Sequence, residues 1–192
     1  MSIQNLLKSV KANPRSNSSS KPLMEIISTI LAPASFDSTP ACFISELNLH
    51  VLTSILSNPN LRSLECFHFF DFCLKNQPLM SFKPDLQSHL IVICRLLQAR
   101  MFADAEILLK TVSIDGNHRY PFAVIASNVE ISCPEWKVKV KFFKFMLALY
   151  SENGFFDSVS ETFSYMKNNG IMIDDHTCTV HLPSLKGSNR RI

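Results

Sequence analysis

Residues 140–174, VKFFKFMLALYSENGFFDSVSETFSYMKNNGIMID, predict two amphipathic helices that fold back on each other. Gly154 lies between the halves, where a tight turn at positive φ favours a residue without a Cβ, and Gly170 stands where a helix C-cap places glycine. Such short helices must bury their apolar faces on neighbours, so the stretch is expected to be a repeat unit rather than a domain. The apolar positions spaced three or four apart are Phe142, Phe145, Met146 and Leu149, then Phe156, Val159, Phe163 and Met166.

The same stretch carries a specific set of residue types. Tyr150 lies near the end of the first helix, an Asn-Gly turn follows, Asp157 opens the second helix, and Phe-x-x-Met-Lys-x-x-Gly-Ile runs from Phe163. With a period of about 35 residues, this combination resembles the pentatricopeptide repeat of plant organellar RNA-binding proteins. The tetratricopeptide repeat has a similar period, but it carries small residues at the positions of Phe163 and Met166.

The resemblance implies an all-α fold, a right-handed α-solenoid of stacked antiparallel helix hairpins. In this family the first helices line a groove for single-stranded RNA, about one base per repeat, and two positions of each repeat hydrogen-bond the base edge. Those positions match Lys144 and Asp174 in the central repeat and Thr179 in the partial repeat after it. In the repeat before, the first position matches Leu90, which cannot read a base edge.

The helix that opens the central repeat is basic. A solvated face is the usual reason for such a run, but it also suits a phosphate backbone. Lys141 and Lys144 are therefore candidate RNA contacts. The run consists of Lys137, Lys139, Lys141 and Lys144.

The chain divides by composition into four regions. Residues 1–24 are basic, serine-rich and without an acidic residue, which is typical of an organelle transit peptide, although a disordered N-terminus has the same composition. Residues 25–84 form a degenerate helical repeat region. Residues 85–186 form a pentatricopeptide-like region, with its clearest repeat at 140–174 and a partial repeat from 175, and 187–192 are a tail. The incomplete last repeat predicts an N-terminal portion or a truncated copy of a longer protein.

Further helices are predicted before the central repeat. One ends at Asn58-Pro59, and a second runs from about 61 to 75 with a stripe of Leu64, Phe67, Phe70 and Leu74. In the next repeat, Arg100 replaces the usual glycine of the turn. A helix over 120–130, opened by Pro121, departs from the repeat period and predicts an irregular join.

Composition excludes several function classes. The net charge of +3 is too small to argue for nucleic acid by itself, and the uncharged runs are too short to span a bilayer. No two of the six cysteines lie two or three residues apart, and they are expected to be reduced and buried. No phosphate loop or nucleophile motif appears, so no enzyme activity and no cofactor are expected. His176-x-Cys178-x-x-His181 lacks the partners that close a zinc tetrahedron, so no metal is expected.

Three functions are compatible with these features. The resemblance favours an organellar single-stranded RNA-binding protein in transcript processing, editing, stability or translation, with the mitochondrion preferred over the chloroplast because the family is concentrated there. A protein–protein scaffold, with partners at an uncovered solenoid end, would use the same helical repeats. A truncated product without base-specific RNA binding is the third.

Overall fold

The computed structural model describes residues 47–116 and 119–173. Within these residues the chain forms seven α-helices and one short 3-10 helix, and no strand. The predicted all-α, helical-repeat fold class is therefore confirmed. The α-helices are α1 (Leu49–Leu56), α2 (Ser63–Lys75), α3 (Leu86–Gln98), α4 (Phe102–Ser113), α5 (Phe122–Ser132), α6 (Trp136–Glu152) and α7 (Phe156–Asn168), and the 3-10 helix is Gln77–Leu79.

The chain separates into two compact units between Ser88 and His89, a boundary that lies within the first turn of α3. In the first unit, Asn48 caps α1 by accepting a hydrogen bond from the Val51 N–H at 3.0 Å. Helix α1 ends before Asn58-Pro59, as predicted. At the start of α2, the Glu65 carboxylate accepts a hydrogen bond from the Arg62 N–H at 3.0 Å.

The predicted apolar stripe of α2 is wrong except for Phe70, which is fully buried. Leu64 is 49% exposed, and Phe67 and Leu74 are only partly buried. The helix is apolar on most of its circumference, so a spacing of three or four residues fits more than one face. The face that is buried consists of Cys66, Phe69, Phe70, Phe72 and Cys73.

In the second unit, α6 and α7 form the hairpin predicted from residues 140–174. The core face of α6 is wider than predicted, since Phe143, Leu147 and Tyr150 are buried in addition to most of the predicted stripe. On α7, Val159 and Met166 are fully buried. The helix begins at Trp136, because Cys133-Pro134 ends α5 and leaves Glu135 as the N-cap of α6.

Three helices of this unit end in the same turn. The residue after the C-cap is left-handed in each case, at φ 62° for Arg100, 72° for Gly154 and 67° for Gly170. In the first turn the Met101 N–H donates to the Leu96 carbonyl at 2.9 Å, and equivalent bonds of 2.9 and 2.8 Å close the other two. This is the Schellman C-cap, and it confirms the predicted roles of both glycines.

Helix α5 is the irregular element between the α3–α4 and α6–α7 hairpins. It lies two residues later than the predicted 120–130, so Pro121 is its N-cap instead of a first-turn residue. Its Phe122 ring packs edge-on against Tyr165 of α7 with centroids 5.7 Å apart. None of the helices in residues 47–116 and 119–173 has the length and apolar content that a bilayer crossing requires.

Candidate nucleic-acid interface

The structure separates the four lysines of α6. Lys137, Lys141 and Lys144 recur at intervals of four and three residues, so they share the side of the helix that faces away from the buried residues. Lys139 points elsewhere: it forms an ion pair with Glu130 of α5, and its side chain is only 13% exposed. The basic run is thus not a single solvated face, and Lys139 belongs to the packing between helices.

Lys141 is held against the end of α3. Its Nζ donates a hydrogen bond to the Leu97 carbonyl at 3.5 Å and lies 5.9 Å from the centre of the Phe102 ring. A cation at a helix C-terminus complements the negative end of the helix dipole. Lys141 therefore has a structural role in the free chain, and its assignment as an RNA contact stays a prediction.

Lys144 is partly exposed, and Lys137 is exposed about two turns nearer the start of α6. The predicted reading partners, Asp174 and Thr179, lie outside the described residues. The pairing of Lys144 with Asp174 therefore also stays a prediction. Leu90, at the matching position of α3, is fully buried, so the side chain at that position cannot reach a base.

Two exposed aromatic side chains flank these lysines. Trp136, in the first turn of α6, is 50% exposed, and Phe102, at the start of α4, is 40% exposed. The Phe102 ring stacks on Phe145 of α6 at a centroid distance of 5.5 Å. We call Phe102, Trp136, Lys137, Lys141 and Lys144 the basic–aromatic face.

Neither Trp136 nor Phe102 was among the predicted site residues. Trp136 precedes the repeat that begins at residue 140, and Phe102 fits the apolar spacing of its own helix with Ala105 and Leu108. The available signal was the position of the chain's single tryptophan beside Lys137 at a helix start. Rings that offer their faces beside cations are the usual components of single-strand binding surfaces.

A polar network behind this face joins three helices. The Tyr165 hydroxyl on α7 donates a hydrogen bond to Glu130 Oε1 at 2.9 Å, while Lys139 on α6 contacts the other carboxylate oxygen. The hydrogen bond from Lys139 holds the pKa of Glu130 below its usual range. Burial, with the nearby Glu130 carboxylate, raises the pKa of Tyr165 to about 12.

A second polar cluster lies where α7 begins. Arg119, which precedes α5, stacks over the Phe155 ring at 4.3 Å and reaches Ser158 Oγ at 3.5 Å. Its guanidinium thereby links the α4–α5 connection to the α6–α7 turn. Within the described residues, no group of three or more His, Cys, Asp or Glu side chains is placed to hold a metal ion.

Comparison with known proteins adds one relative. The chain is 30% identical to a pentatricopeptide repeat-containing protein of Arabidopsis thaliana over 148 aligned residues. The aligned residues make up 76% of this chain. The resemblance to pentatricopeptide repeat proteins is confirmed. The aligned part spans only 23% of that relative's length, so the pentatricopeptide-like chain corresponds to less than a quarter of it. No protein-family profile matches the chain. No solved structure matches it.

Proposed function

We propose that this pentatricopeptide-like chain is an organellar single-stranded RNA-binding protein, or part of one, acting in transcript processing, editing, stability or translation. The observation that carries the proposal is the basic–aromatic face on a chain with this repeat resemblance. Lys137 and Lys144 would contact phosphates, and Trp136 and Phe102 would offer ring faces to bases. The chain would bind its target and leave any chemistry to other proteins.

Within this proposal, the candidate base-reading positions lie late in the chain, and most of the affinity would come from contacts with the phosphate backbone. Lys144 with Asp174 would meet one base and Thr179 the next, while Lys141 would lie near the backbone. The buried Leu90 supports a different role for the α3–α4 hairpin. We propose that this hairpin supports the binding face without reading a base.

Fluorescence anisotropy with labelled single-stranded RNA over a series of salt concentrations tests the proposal. Because phosphate contacts release counterions, the logarithm of affinity should fall linearly with the logarithm of salt concentration, at about −0.7 per phosphate contact for a single strand. No binding at low salt by the folded chain, checked by circular dichroism, would exclude direct RNA binding.

A charge-matched pair of variants assigns the binding to this face. Replacing Lys137 and Lys144 together by Ala should weaken RNA binding at least tenfold. The slope of log affinity against log salt concentration should also become shallower, by the equivalent of about one to two phosphate contacts. Replacing Lys110 and Lys167 by Ala removes the same charge from the last turns of α4 and α7. Equal losses in the two double variants would show that only net charge matters.

A protein-binding scaffold is the second candidate, and exposed apolar side chains around the α5–α6 loop favour it. Ile131 is 74% exposed and is separated by only four residues from the half-exposed Trp136. Exposed apolar clusters often mark protein interfaces. A folded chain that fails to bind RNA but co-purifies with a defined partner, with binding lost in Ile131→Ser, would support this function instead.

We propose that residues 1–24 direct the chain to an organelle, the mitochondrion in preference to the chloroplast. Their basic, acid-free and serine-rich composition supports this. Fusion of the full chain to a fluorescent protein, compared with a fusion that lacks residues 1–24, tests the assignment. Identical distributions of the two fusions would contradict it.

A further inference from the structure

An open groove of about 580 Å³ lies between α5 and α7. The two helices meet there through the Phe122 and Tyr165 rings, whose centroids are 5.7 Å apart. We call this surface the α5–α7 groove and define it by Phe122, Ala126 and Glu130 of α5 with Glu161 and Tyr165 of α7. None of the residues that line it belongs to the basic–aromatic face, so the groove is a separate surface.

The α5–α7 groove is elongated along α5. Phe122, Ala126 and Glu130 follow one another at intervals of four residues, so they share one side of the helix over about 12 Å. The small side chains of Ala126 and Ser127 leave the space between the two helices open. About two turns of an α-helix have the same length, and an amphipathic helix that lies in an apolar groove is a common mode of peptide recognition.

The charged residues that line this groove are acidic. Glu130 and Glu161 stand on its two walls, and none of the described lining residues is a lysine or an arginine. Glu130 is already bound by Lys139 and by the Tyr165 hydroxyl. Glu161 is exposed, and within the described part of the chain its carboxylate forms no ion pair. Glu161 is therefore available to a cation from outside the chain.

We propose that the α5–α7 groove binds a basic amphipathic helix of a partner protein. Apolar side chains of the partner would cover the Phe122 and Tyr165 rings and Ala126, and a lysine or arginine beside them would pair with Glu161. Charge complementarity favours this occupant over an RNA strand, whose phosphates the two carboxylates repel. The groove is short, so the interface would be small and the complex transient. This binding is independent of the RNA binding proposed for the basic–aromatic face.

Fluorescence anisotropy with a synthetic helix tests the binding. The probe is a labelled peptide of about 14 residues with leucine on one helical face and lysine on the other, and the matched peptide has glutamate in place of each lysine. The full chain should bind the lysine peptide at least about tenfold more tightly than the glutamate peptide. Equal affinities for the two peptides would overturn the proposal, as would no binding of the lysine peptide by the folded chain at about 1 mM.

Two charge reversals assign the peptide to the groove. Glu161→Lys reverses the exposed charge of the groove, and Glu152→Lys makes the same change at the exposed last residue of α6, which does not line the groove. Affinity for the lysine peptide should fall at least about fivefold in Glu161→Lys and less than about twofold in Glu152→Lys. Equal losses in the two variants would mean that only net charge attracts the peptide, and they would overturn the assignment.

A steric variant separates the groove from the basic–aromatic face. Ser127 is exposed on α5 and lines the groove, so Ser127→Trp should fill the space and abolish peptide binding. RNA affinity in this variant should stay within about twofold of the wild-type value, because the lysines of α6 are unchanged. The variant with Lys137 and Lys144 both replaced by Ala should retain its affinity for the peptide. Loss of peptide binding in that double variant would place the peptide on the basic–aromatic face and overturn the proposal.

A second copy of this chain is the competing occupant of the groove. Sedimentation velocity of the wild-type chain and of Ser127→Trp, each without peptide, tests it. We expect both to be monomers at the concentrations used for the peptide titration. A wild-type dimer that Ser127→Trp dissociates would place a second copy in the groove and would contradict a partner helix as its occupant.

Discussion

At the scale of single residues, Arg100 is the position most at odds with its backbone. It holds a left-handed conformation, and Gly154 and Gly170 occupy the same place in the other two Schellman turns. A residue with a Cβ loses about 1–2 kcal/mol in this conformation, whereas glycine does not. The sequence shows an arginine where the repeat usually has glycine. The positive φ of Arg100 shows that this substitution costs backbone strain.

Arg100→Gly should therefore stabilise the chain by about 0.5–1 kcal/mol, since relief of strain is partly offset by the greater freedom of glycine in the unfolded state. Urea denaturation measures the change. Gly154→Ala is the opposite change. A Cβ at this position meets no atom within 4 Å, so only the left-handed backbone conformation disfavours alanine. This variant should lower the free energy of unfolding by about 1 kcal/mol. A destabilising Arg100→Gly would contradict this account of the turn.

The lowered pKa of Glu130 predicts how the free energy of unfolding depends on pH. Lys139 lowers the pKa of its carboxyl in the folded chain, so the ionised form is favoured by folding. The resulting stability is present above the unfolded pKa of about 4.3 and is lost as the pH falls through the lower, folded value. Glu130→Gln should therefore flatten the loss of stability below pH 4.5, and Lys139→Met should do the same. An acid limb unchanged in both variants would show that this ion pair does not contribute.

At the scale of elements, the α6–α7 hairpin depends on an aromatic cluster. Phe143 is fully buried, with ring centroids 4.8 Å from Tyr165, 5.5 Å from Phe142 and 6.3 Å from Phe122. It therefore joins α6 to α5 and α7 at one point. The predicted apolar stripe of α6 did not include this residue, because the helix is apolar on more than one side.

Phe143→Ala should destabilise the chain by about 3–5 kcal/mol, because a cavity remains where the ring contacts two other helices. Phe156→Ala, at a ring that is 37% exposed on the same hairpin, should cost about 1 kcal/mol or less. Denaturant midpoints for the two variants test the difference. Equal effects would mean that the aromatic cluster does not organise the hairpin.

Helices and their turns could be predicted from the sequence, but the buried faces could be predicted only in part. Gly154, Pro121 and Asn58-Pro59 act through local backbone preferences, so their positions alone indicate where helices start and end. Leu64, by contrast, was assigned to the core and is half exposed. Which apolar face is buried depends on neighbouring helices, and spacing within one helix does not contain that information.

In the candidate site, too, the sequence predicted the residue types but not their contacts with other helices. The sequence identified Lys141 and Lys144, but the contacts of Lys141 with Leu97 and Phe102 depend on how α6 packs against α3 and α4. The ion pair that removes Lys139 from the exposed face depends on α5, the helix outside the repeat period. Tertiary packing thus decides which members of a basic run are exposed.

At the scale of the whole molecule, we propose that α6, together with Phe102 at the start of α4, presents the basic–aromatic face and that the rest of the α3–α4 hairpin supports it. This division predicts that affinity depends on backbone contacts more than on sequence. RNA homopolymers should therefore differ in affinity by less than about tenfold, whereas double-stranded RNA, whose bases cannot reach the exposed rings, should bind more weakly. Competition experiments at one salt concentration measure both ratios, and a strong preference for duplex RNA would contradict stacking on exposed rings.

Ultraviolet cross-linking of the full chain to a short single-stranded RNA, followed by mapping of the modified peptides, shows directly whether the basic–aromatic face contacts RNA. Cross-links are expected at Trp136 and Phe102, and they should be lost when Lys137 and Lys144 are both replaced by Ala. Cross-links confined to surfaces away from α6, or none from a chain that binds RNA at low salt, would contradict the assignment of this face.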